Sequence, residues 1–286
     1  MGGAEADTDG TIPREATLVR APNPGPMTLD GTNSWVLRAP GAGAGGAGAG
    51  GAIVVDPGPD DAGHLARLAE GGVALVLVTH HHPDHTEAVD AFARLTGAPV
   101  RAISPQWCRD AEPLVDGERI RAAGLELEVL ATPGHTADSA CFVLRHAGDG
   151  DADGSGVDRA SPGAPLGVLT GDTVLGRGTT IIADPDGALG PYLDSLRRLR
   201  ELGAGGPIPV LPGHGPALPD LAAICDAYLA HRAERLDQVR AALARLGADA
   251  SAESVTDLVY ADTDVSVRTA AEASVRAQLA FLRARD

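Results

Sequence analysis

Residues 73–85 of the chain read VALVLVTHHHPDH, an apolar run that ends in a cluster of metal-ligand side chains. The first seven residues have the length and the β-branched composition of a buried strand. Side chains two residues apart point to the same side of an extended segment, so His80 and His82 can bind one metal ion. Asp84 and His85, which follow the turn at Pro83, can face a second ion. The stretch therefore predicts a strand that presents a metal site at its end.

A run of three histidines is also typical of a solvated loop or an affinity tag, so this stretch alone leaves two interpretations open. Three further segments favour the metal site, because each places a ligand-type side chain beside a glycine at the end of a predicted strand. They are His135 in TPGHT (132–136), Asp172 in LTGDT (169–173) and His214 in LPGHG (211–215). Each is weak evidence alone, but together they predict a ligand set assembled from several strand ends.

Strand-length apolar segments alternate with segments of helical period through the first 219 residues, a mixture typical of an α/β architecture. Predicted strands cover residues 34–38, 52–56, 73–79, 99–104, 125–131, 140–145, 166–171 and 208–212. Predicted helices cover residues 61–70, 87–95 and 189–202. Two low-complexity segments, residues 41–51 and 148–165, interrupt the strands, and we expect them to form solvated loops.

The chain changes character after Pro219. Residues 220–246 carry apolar side chains at helical spacing with a charged opposite face, which predicts a long helix. Two shorter helices are predicted over residues 252–260 and 265–283. We therefore expect a disordered N-terminus (1–16), a main domain (17–218) and a C-terminal helical domain (219–286).

The composition is that of an acidic globular protein. The 286 residues carry a formal net charge of −16 and include no lysine, which disfavours nucleic acid as the main partner. The three cysteines lie far apart without a CxxC pair, which fits a reducing compartment and argues against a disulfide framework. The N-terminus lacks the features of a secretory signal and no stretch reaches membrane-spanning length, so we expect a cytoplasmic protein without a membrane partner.

The order THxHxDH, PGHT, GDT and GHG resembles the metallo-β-lactamase superfamily, and the match spans most of residues 18–219. The resemblance implies an αββα sandwich with two metal ions at one edge of its sheets. Asp56 in VVDPG (54–58) matches an aspartate that lies behind the ligands in that fold. By position, the resemblance assigns His80, His82 and His135 to one metal, Asp84, His85 and His214 to the other, and Asp172 to both.

Three segments are similar to the lactamase-B-like-protein-2 group within that superfamily: NPGPMTLDGTN (23–33), GDTVLGRGTT (171–180) and His231-Arg232 on the long helix. This resemblance implies a small winged-helix-like C-terminal module, truncated here because the chain stops where a wing hairpin would follow. Members and relatives of the group include single-strand-directed endoribonucleases and thioesterases that act on carrier-bound acyl chains.

The predicted function is metal-dependent hydrolysis of an ester or thioester-type bond in a small-molecule substrate. A hydroxide that bridges two metal ions would be the nucleophile, and Asp84 would orient it or accept its proton. Zinc is the default for an imidazole-rich site, although iron or manganese also suits these ligands. Two alternatives stay open: an endoribonuclease of the lactamase-B-like group, and a non-catalytic regulatory metal-binding protein. A homodimer is also compatible with the sequence.

Overall fold

The computed structural model describes residues 11–41, 51–147, 163–261 and 268–285, and within them two five-stranded sheets face each other. The strands of the first sheet are β1 (Ala16–Arg20), β2 (Asn33–Leu37), β3 (Ala52–Val55), β4 (Val73–Leu77) and β5 (Val100–Arg101). They lie in chain order, with β1 to β3 antiparallel and β3 to β5 parallel.

The second sheet has the order β10-β9-β8-β7-β6, in which only β9 and β10 pair in parallel. Its strands are β6 (Arg119–Ala122), β7 (Leu125–Ala131), β8 (Ala140–His146), β9 (Gly167–Gly171) and β10 (Val210–Pro212). Leu37, Ile53 and Leu77 from the first sheet share one buried cluster with Leu127 and Phe142 from the second. The two sheets therefore pack face to face around an apolar core.

Helices cover the outer face of each sheet. Leu65 and Phe92 from two helices beside the first sheet cluster with Val54 and Val76 of its strands. These helices and the short turn between them are α1 (Ala62–Leu68), α2 (Pro83–Thr86) and α3 (Val89–Thr96). Against the second sheet lie α4 (Leu189–Leu202), α5 (Leu221–Leu246), α6 (Ala252–Val259) and α7 (Arg268–Arg283). This arrangement confirms the predicted αββα sandwich with C-terminal helices.

The C-terminal helices share a continuous apolar cluster with the second sheet. Leu196 of α4, Cys225 of α5 and Val275 of α7 are all buried in it, together with Val210 of β10. The domain boundary near residue 219 stays a prediction. The winged-helix-like character of the C-terminal region also stays a prediction, because the described residues of that region contain three helices and no strand.

Several boundaries differ from the prediction. Strands β1 and β6 were not predicted, and the turn predicted at Pro83 is a short helix, Pro83–Thr86. Proline fits the first turn of a helix because its missing N–H would have no partner there. The first ten residues and most of the two low-complexity segments lie outside the described residues, whereas Glu15, from the segment predicted to be disordered, is buried.

Candidate metal centre

All seven predicted ligands lie at one end of the sandwich, and four of them follow strands of the two sheets. His80 follows β4, His135 follows β7, Asp172 follows β9 and His214 follows β10. The remaining three, His82, Asp84 and His85, lie at the start of the helical turn α2. That turn brings residues 82 to 85 back towards the strand ends, so a segment of only six residues contributes to two groups of ligands.

The first group consists of three imidazoles. The Nε2 atom of His80 lies 3.1 Å from Nδ1 of His82, and Nε2 of His135 lies 3.0 Å from the same atom. His80 and His135 are buried, and all three ring nitrogens converge on one point. Three imidazoles without a carboxylate form a ligand set that zinc and other divalent transition metals accept.

The second group combines two imidazoles with a carboxylate. An oxygen of Asp84 lies 3.2 Å from Nε2 of His85 and 3.1 Å from Nε2 of His214, and the two imidazole nitrogens are 3.3 Å apart. His85 and His214 are buried, whereas the side chain of Asp84 is 26% exposed. Asp84 is therefore the carboxylate of this group that solvent and a substrate can reach.

Asp172 lies between the two groups. One of its oxygens is 3.8 Å from Nε2 of His135 and 3.4 Å from Nε2 of His214, and the other is 3.6 Å from Nε2 of His85. That second oxygen is buried and has no hydrogen-bond partner among the described residues. A buried carboxylate oxygen without a partner carries a large desolvation cost, which a cation would offset. The seven side chains therefore fit metal ions.

Hydrogen bonds on the far side of the rings fix which nitrogen faces the centre. Nδ1 of His85 donates to Asp56 at 2.8 Å, Nδ1 of His135 donates to the carbonyl of Ile181 at 2.8 Å, and Nδ1 of His214 faces the carbonyl of Gly31 at 3.3 Å. Because carboxylate and carbonyl oxygens only accept, Nδ1 of each ring carries a proton and Nε2 is the nitrogen that faces the centre. This is the arrangement that orients histidine ligands in metal sites.

Asp56 connects both groups of ligands. Its carboxylate accepts hydrogen bonds from the backbone N–H and the hydroxyl of Thr79, at 2.8 and 2.7 Å, as well as from His85. Since the Thr79 hydroxyl donates to Asp56, it accepts from Nδ1 of His80 at 3.0 Å, which leaves Nε2 of that ring for a metal. Asp56 also adopts a φ of 53°, a conformation that aspartate tolerates better than most residues.

The electrostatics of the two groups differ. Burial lowers the pKa of His80 well below its ordinary value and that of His82 to about 4, with neighbouring imidazoles adding to the effect. Burial acts in the same direction on His85 and His214, but nearby carboxylates outweigh it, raising the pKa of His85 well above its ordinary value and that of His214 to about 9. Against burial, these imidazoles hold the pKa of Asp84 well below its usual range. His80 and His82 are thus neutral and ready to bind a metal, whereas a metal in the second group would replace protons.

Residues near the N-terminus support the centre, although the sequence pattern did not indicate how. The hydroxyl of Thr32 donates to Asp84 at 3.2 Å, and the side chain of Asn23 holds Thr32 through two hydrogen bonds. The amide of Asn33 donates to the carbonyls of Pro212 and Gly215, on either side of His214. The segment NPGPMTLDGTN therefore positions ligands that lie far away in sequence.

The family comparison agrees with this geometry. Residues 27–150 match the model of the metallo-beta-lactamase superfamily. The chain contains a metallo-beta-lactamase superfamily domain. Two solved structures share the fold over 95% of this chain. A metallo-beta-lactamase family protein from Thermus thermophilus has a TM-score of 0.71 and 24% identity, with 94% of that chain covered. A beta-lactamase domain protein from Burkholderia ambifaria has a TM-score of 0.70 and 21% identity, with 86% of that chain covered.

Curated relatives of this metallo-beta-lactamase domain carry several names. The Beta-lactamase-like protein 2 homolog of Caenorhabditis elegans is 29% identical over 91% of this chain and 81% of its own length. The Lactamase-like protein vrtG of Penicillium aethiopicum is 32% identical over 80% of this chain, and an Atrochrysone carboxyl ACP thioesterase of Aspergillus fumigatus is 32% identical over 70%. The chain spans only 66% and 55% of the length of these two fungal proteins.

Glycines leave room for the predicted metal ligands. A Cβ atom on Gly213 would lie 2.5 Å from an oxygen of Asp172 and 3.0 Å from Cε1 of His85. A Cβ atom on Gly134, beside His135, would lie 2.3 Å from Cα of Tyr192 on α4. The glycines in PGHT and PGHG are therefore required by close packing.

His81 lies between two predicted ligands but contacts other groups. Its Nδ1 lies 2.8 Å from Asp138 and its Nε2 lies 3.6 Å from Asp186, as expected for a residue that faces away from the main ligand set. His81, His82 and Asp186 do form a further cluster of possible ligand atoms, at the exposed side of the centre.

None of the described helices is long and apolar enough to cross a membrane.

Proposed function

We propose that the protein is a binuclear metal-dependent hydrolase that cleaves an ester or thioester-type bond. The observation that carries this proposal is the position of Asp172, whose two oxygens face ligands of both groups and of which one has no hydrogen-bond partner among the described residues. A carboxylate in that place is suited to bridge two ions. His80, His82 and His135 would hold one ion, and Asp84, His85 and His214 would hold the other.

Two divalent ions bound there would lower the pKa of a water that they share and would offset the negative charge that develops on the attacked group. Asp84 is the accessible carboxylate of the site, and it faces His85 and His214 while Thr32 donates to it. We assign Asp84 the role of orienting the attacking water and accepting its proton. Zinc is the proposed metal, and the same nitrogen and oxygen ligands suit iron or manganese.

The substrate class rests on two lines of support. Relatives named Atrochrysone carboxyl ACP thioesterase are 31–32% identical over 70–79% of this chain. The net charge of −16 also favours a small substrate over a polyanion such as RNA. We therefore propose a carrier-bound or small-molecule acyl ester or thioester as the substrate.

The experiment that tests the proposal measures hydrolysis by the metal-loaded protein of a panel of small esters and thioesters, beside a labelled single-stranded RNA. Chelator treatment and His82→Ala should each abolish turnover of the small substrates, while the matched variant His81→Ala should retain most of it. RNA cleavage that is lost in His82→Ala would instead assign an endoribonuclease. Metal binding without turnover of any of these substrates would favour a regulatory metal-binding protein.

A further inference from the structure

A cavity of about 230 Å³ lies between the loop that follows β9 and the C-terminal helices. This volume is below the range of about 300–1,000 Å³ typical of sites for drug-sized ligands, so it suits one small group rather than a whole substrate. The side chains with polar or aromatic groups that line it are Thr179, Thr180, His231, Arg232, Arg235, Tyr260 and Ser274. The lining is therefore rich in hydrogen-bond donors.

Arg232 is buried at the wall of this cavity, with 5% of its surface exposed. Its Nη2 donates to the carbonyl of Thr180, and its guanidinium lies over the ring of Tyr192 at 5.2 Å. Its Nε has no hydrogen-bond partner among the described residues. A buried donor without a partner is costly, and a ligand that accepts a hydrogen bond from this Nε would remove that cost.

Arg235, one turn further along α5, lines the same cavity. It donates to Gln238 at 2.8 Å and lies over the ring of Tyr260 at 4.9 Å, contacts that hold the guanidinium but leave its charge unpaired. No carboxylate of the described chain makes an ion pair with Arg232 or Arg235. By contrast, the arginines that form a charged face on α4 each contact a carboxylate: Arg197 with Asp194, Arg198 with Asp116 and Arg200 with Asp226.

Within the described residues, two guanidinium groups without a carboxylate partner at one small cavity are unexpected in a chain with a net charge of −16. Planar guanidinium donors match the oxygens of phosphate better than any other side chain does. The hydroxyls of Thr179 and Ser274 add neutral donors to the same lining. We propose that this cavity binds a phosphate group, with Arg232 and Arg235 as its charged ligands.

Arg235 also lines a neighbouring cavity of about 300 Å³ between α5 and α6, together with Arg245, Leu258 and Val259. This second space has both apolar and cationic lining and is suited to the organic part of a phosphate ester. The proposed ligand is therefore a phosphate ester, with inorganic phosphate as the smaller molecule of the same chemistry. Its site is distinct from the metal centre and does not depend on the proposed hydrolytic activity.

One short loop separates the cavity from the metal centre. The carbonyl of Thr180 accepts from Arg232, whereas the next carbonyl, that of Ile181, accepts from Nδ1 of His135. The hydroxyl of Thr180 also donates to the backbone carbonyl of Asp172. Two hydrogen bonds and one peptide unit thus connect Arg232 to His135, a predicted metal ligand.

The test is calorimetric titration of the metal-loaded protein with inorganic phosphate and, separately, with phenyl phosphate. Because phosphate can also bind metal ions, the same titrations are made with the double variant His82→Ala/His214→Ala, which lacks a ligand of each metal group and in which binding at the cavity should persist. Arg235→Met should weaken that binding at least tenfold, and Arg235→Lys should restore part of it. The matched control is Arg240→Met, on the same helix, where the arginine is exposed and paired with Asp237.

We expect phenyl phosphate to bind at least as tightly as inorganic phosphate. Binding of inorganic phosphate alone would overturn the assignment to a phosphate ester. Absence of any phosphate binding in His82→Ala/His214→Ala, or equal binding by Arg235→Met and Arg240→Met, would overturn the site itself and leave Arg232 a structural link between α5 and the loop. Thermal unfolding of each variant, compared with the native protein, identifies any loss of binding that is due to misfolding.

Discussion

An oxygen of Asp56 lies 2.8 Å from Nδ1 of His85, and this aspartate is itself buried behind the predicted metal ligands. The bond fixes the ring so that Nε2 faces Asp84 and His214. Asp56 therefore determines the geometry of the second group of ligands although it is not predicted to bind metal.

Asp56→Asn should lower metal affinity, because an amide is a weaker acceptor for the His85 ring and can no longer accept three hydrogen bonds with a full negative charge. We expect a loss of about 10–100-fold, as for other groups that orient metal ligands. Competition with a chromogenic chelator measures it. Asp60→Asn, an exposed aspartate in the same loop, should bind metal like the native protein, and equal affinities of the two variants would contradict this role.

Gly213→Ala should disturb the centre directly, since the added methyl group would meet Asp172 at 2.5 Å and His85 at 3.0 Å. We expect loss of about one metal equivalent and a fall in activity of about 100-fold, because catalysis is sensitive to displacements near 1 Å. Gly205→Ala is the control, as nothing lies within 4 Å of its added methyl group. Metal analysis by mass spectrometry and turnover rates should separate the two variants.

Thr32→Val should reduce activity while metal content stays near that of the native protein. The substitution keeps the shape of a buried residue but removes the hydroxyl that donates to Asp84 at 3.2 Å. Losing one such hydrogen bond corresponds to about 1–2 kcal/mol, or about a tenfold lower kcat. Thr17→Val, at an exposed position of β1, should behave like the native protein. An unchanged kcat in Thr32→Val would show that Asp84 needs no such donor.

His64 should make the protein less stable as the pH falls. Burial, with help from Arg67, lowers the pKa of His64 to about 4, so between about pH 6.5 and 4 the unfolded chain takes up a proton that the folded chain does not. The free energy of unfolding has its full value above about pH 6.5, and at pH 5 it is lower by about 2 kcal/mol because of His64.

Urea unfolding of the native protein and of His64→Gln at pH 7.5 and pH 5 measures this effect. The decrease in unfolding free energy on acidification should be smaller in the variant by about 2 kcal/mol. Other titrating groups cancel in this comparison because both proteins contain them. Equal decreases in the two proteins would contradict a buried, neutral His64.

The sequence predicted much of the fold because its main elements have strong local patterns. The bounds predicted for β7 (Leu125–Ala131) and α4 (Leu189–Leu202) agree with the structure, since both are long and clearly periodic. Strand β6 (Arg119–Ala122) was missed because it is short, carries two arginines and pairs with only one neighbour. Its strand conformation depends on β7, a contact that local composition does not encode.

The candidate site also has one part that local sequence pattern predicts and one part that it does not. His80, His135, Asp172 and His214 were predicted from their positions after strands, and the structure brings them together with His82, Asp84 and His85. The contributions of Thr32 and Asn33 could not be predicted from pattern, because their contacts reach Asp84 and Pro212, 52 and 179 residues away. Contacts of that range follow from the closure of the sandwich and leave no local signal.

The measurement that tests the central claim most directly is the number of metal ions bound by the purified protein and by variants of each ligand group, determined by mass spectrometry after removal of loose metal. We predict about two equivalents for the native protein and for His81→Ala, and about one for each of His82→Ala and His214→Ala. A native protein that binds no tight metal, or a His82→Ala variant that keeps both equivalents, would contradict the binuclear centre.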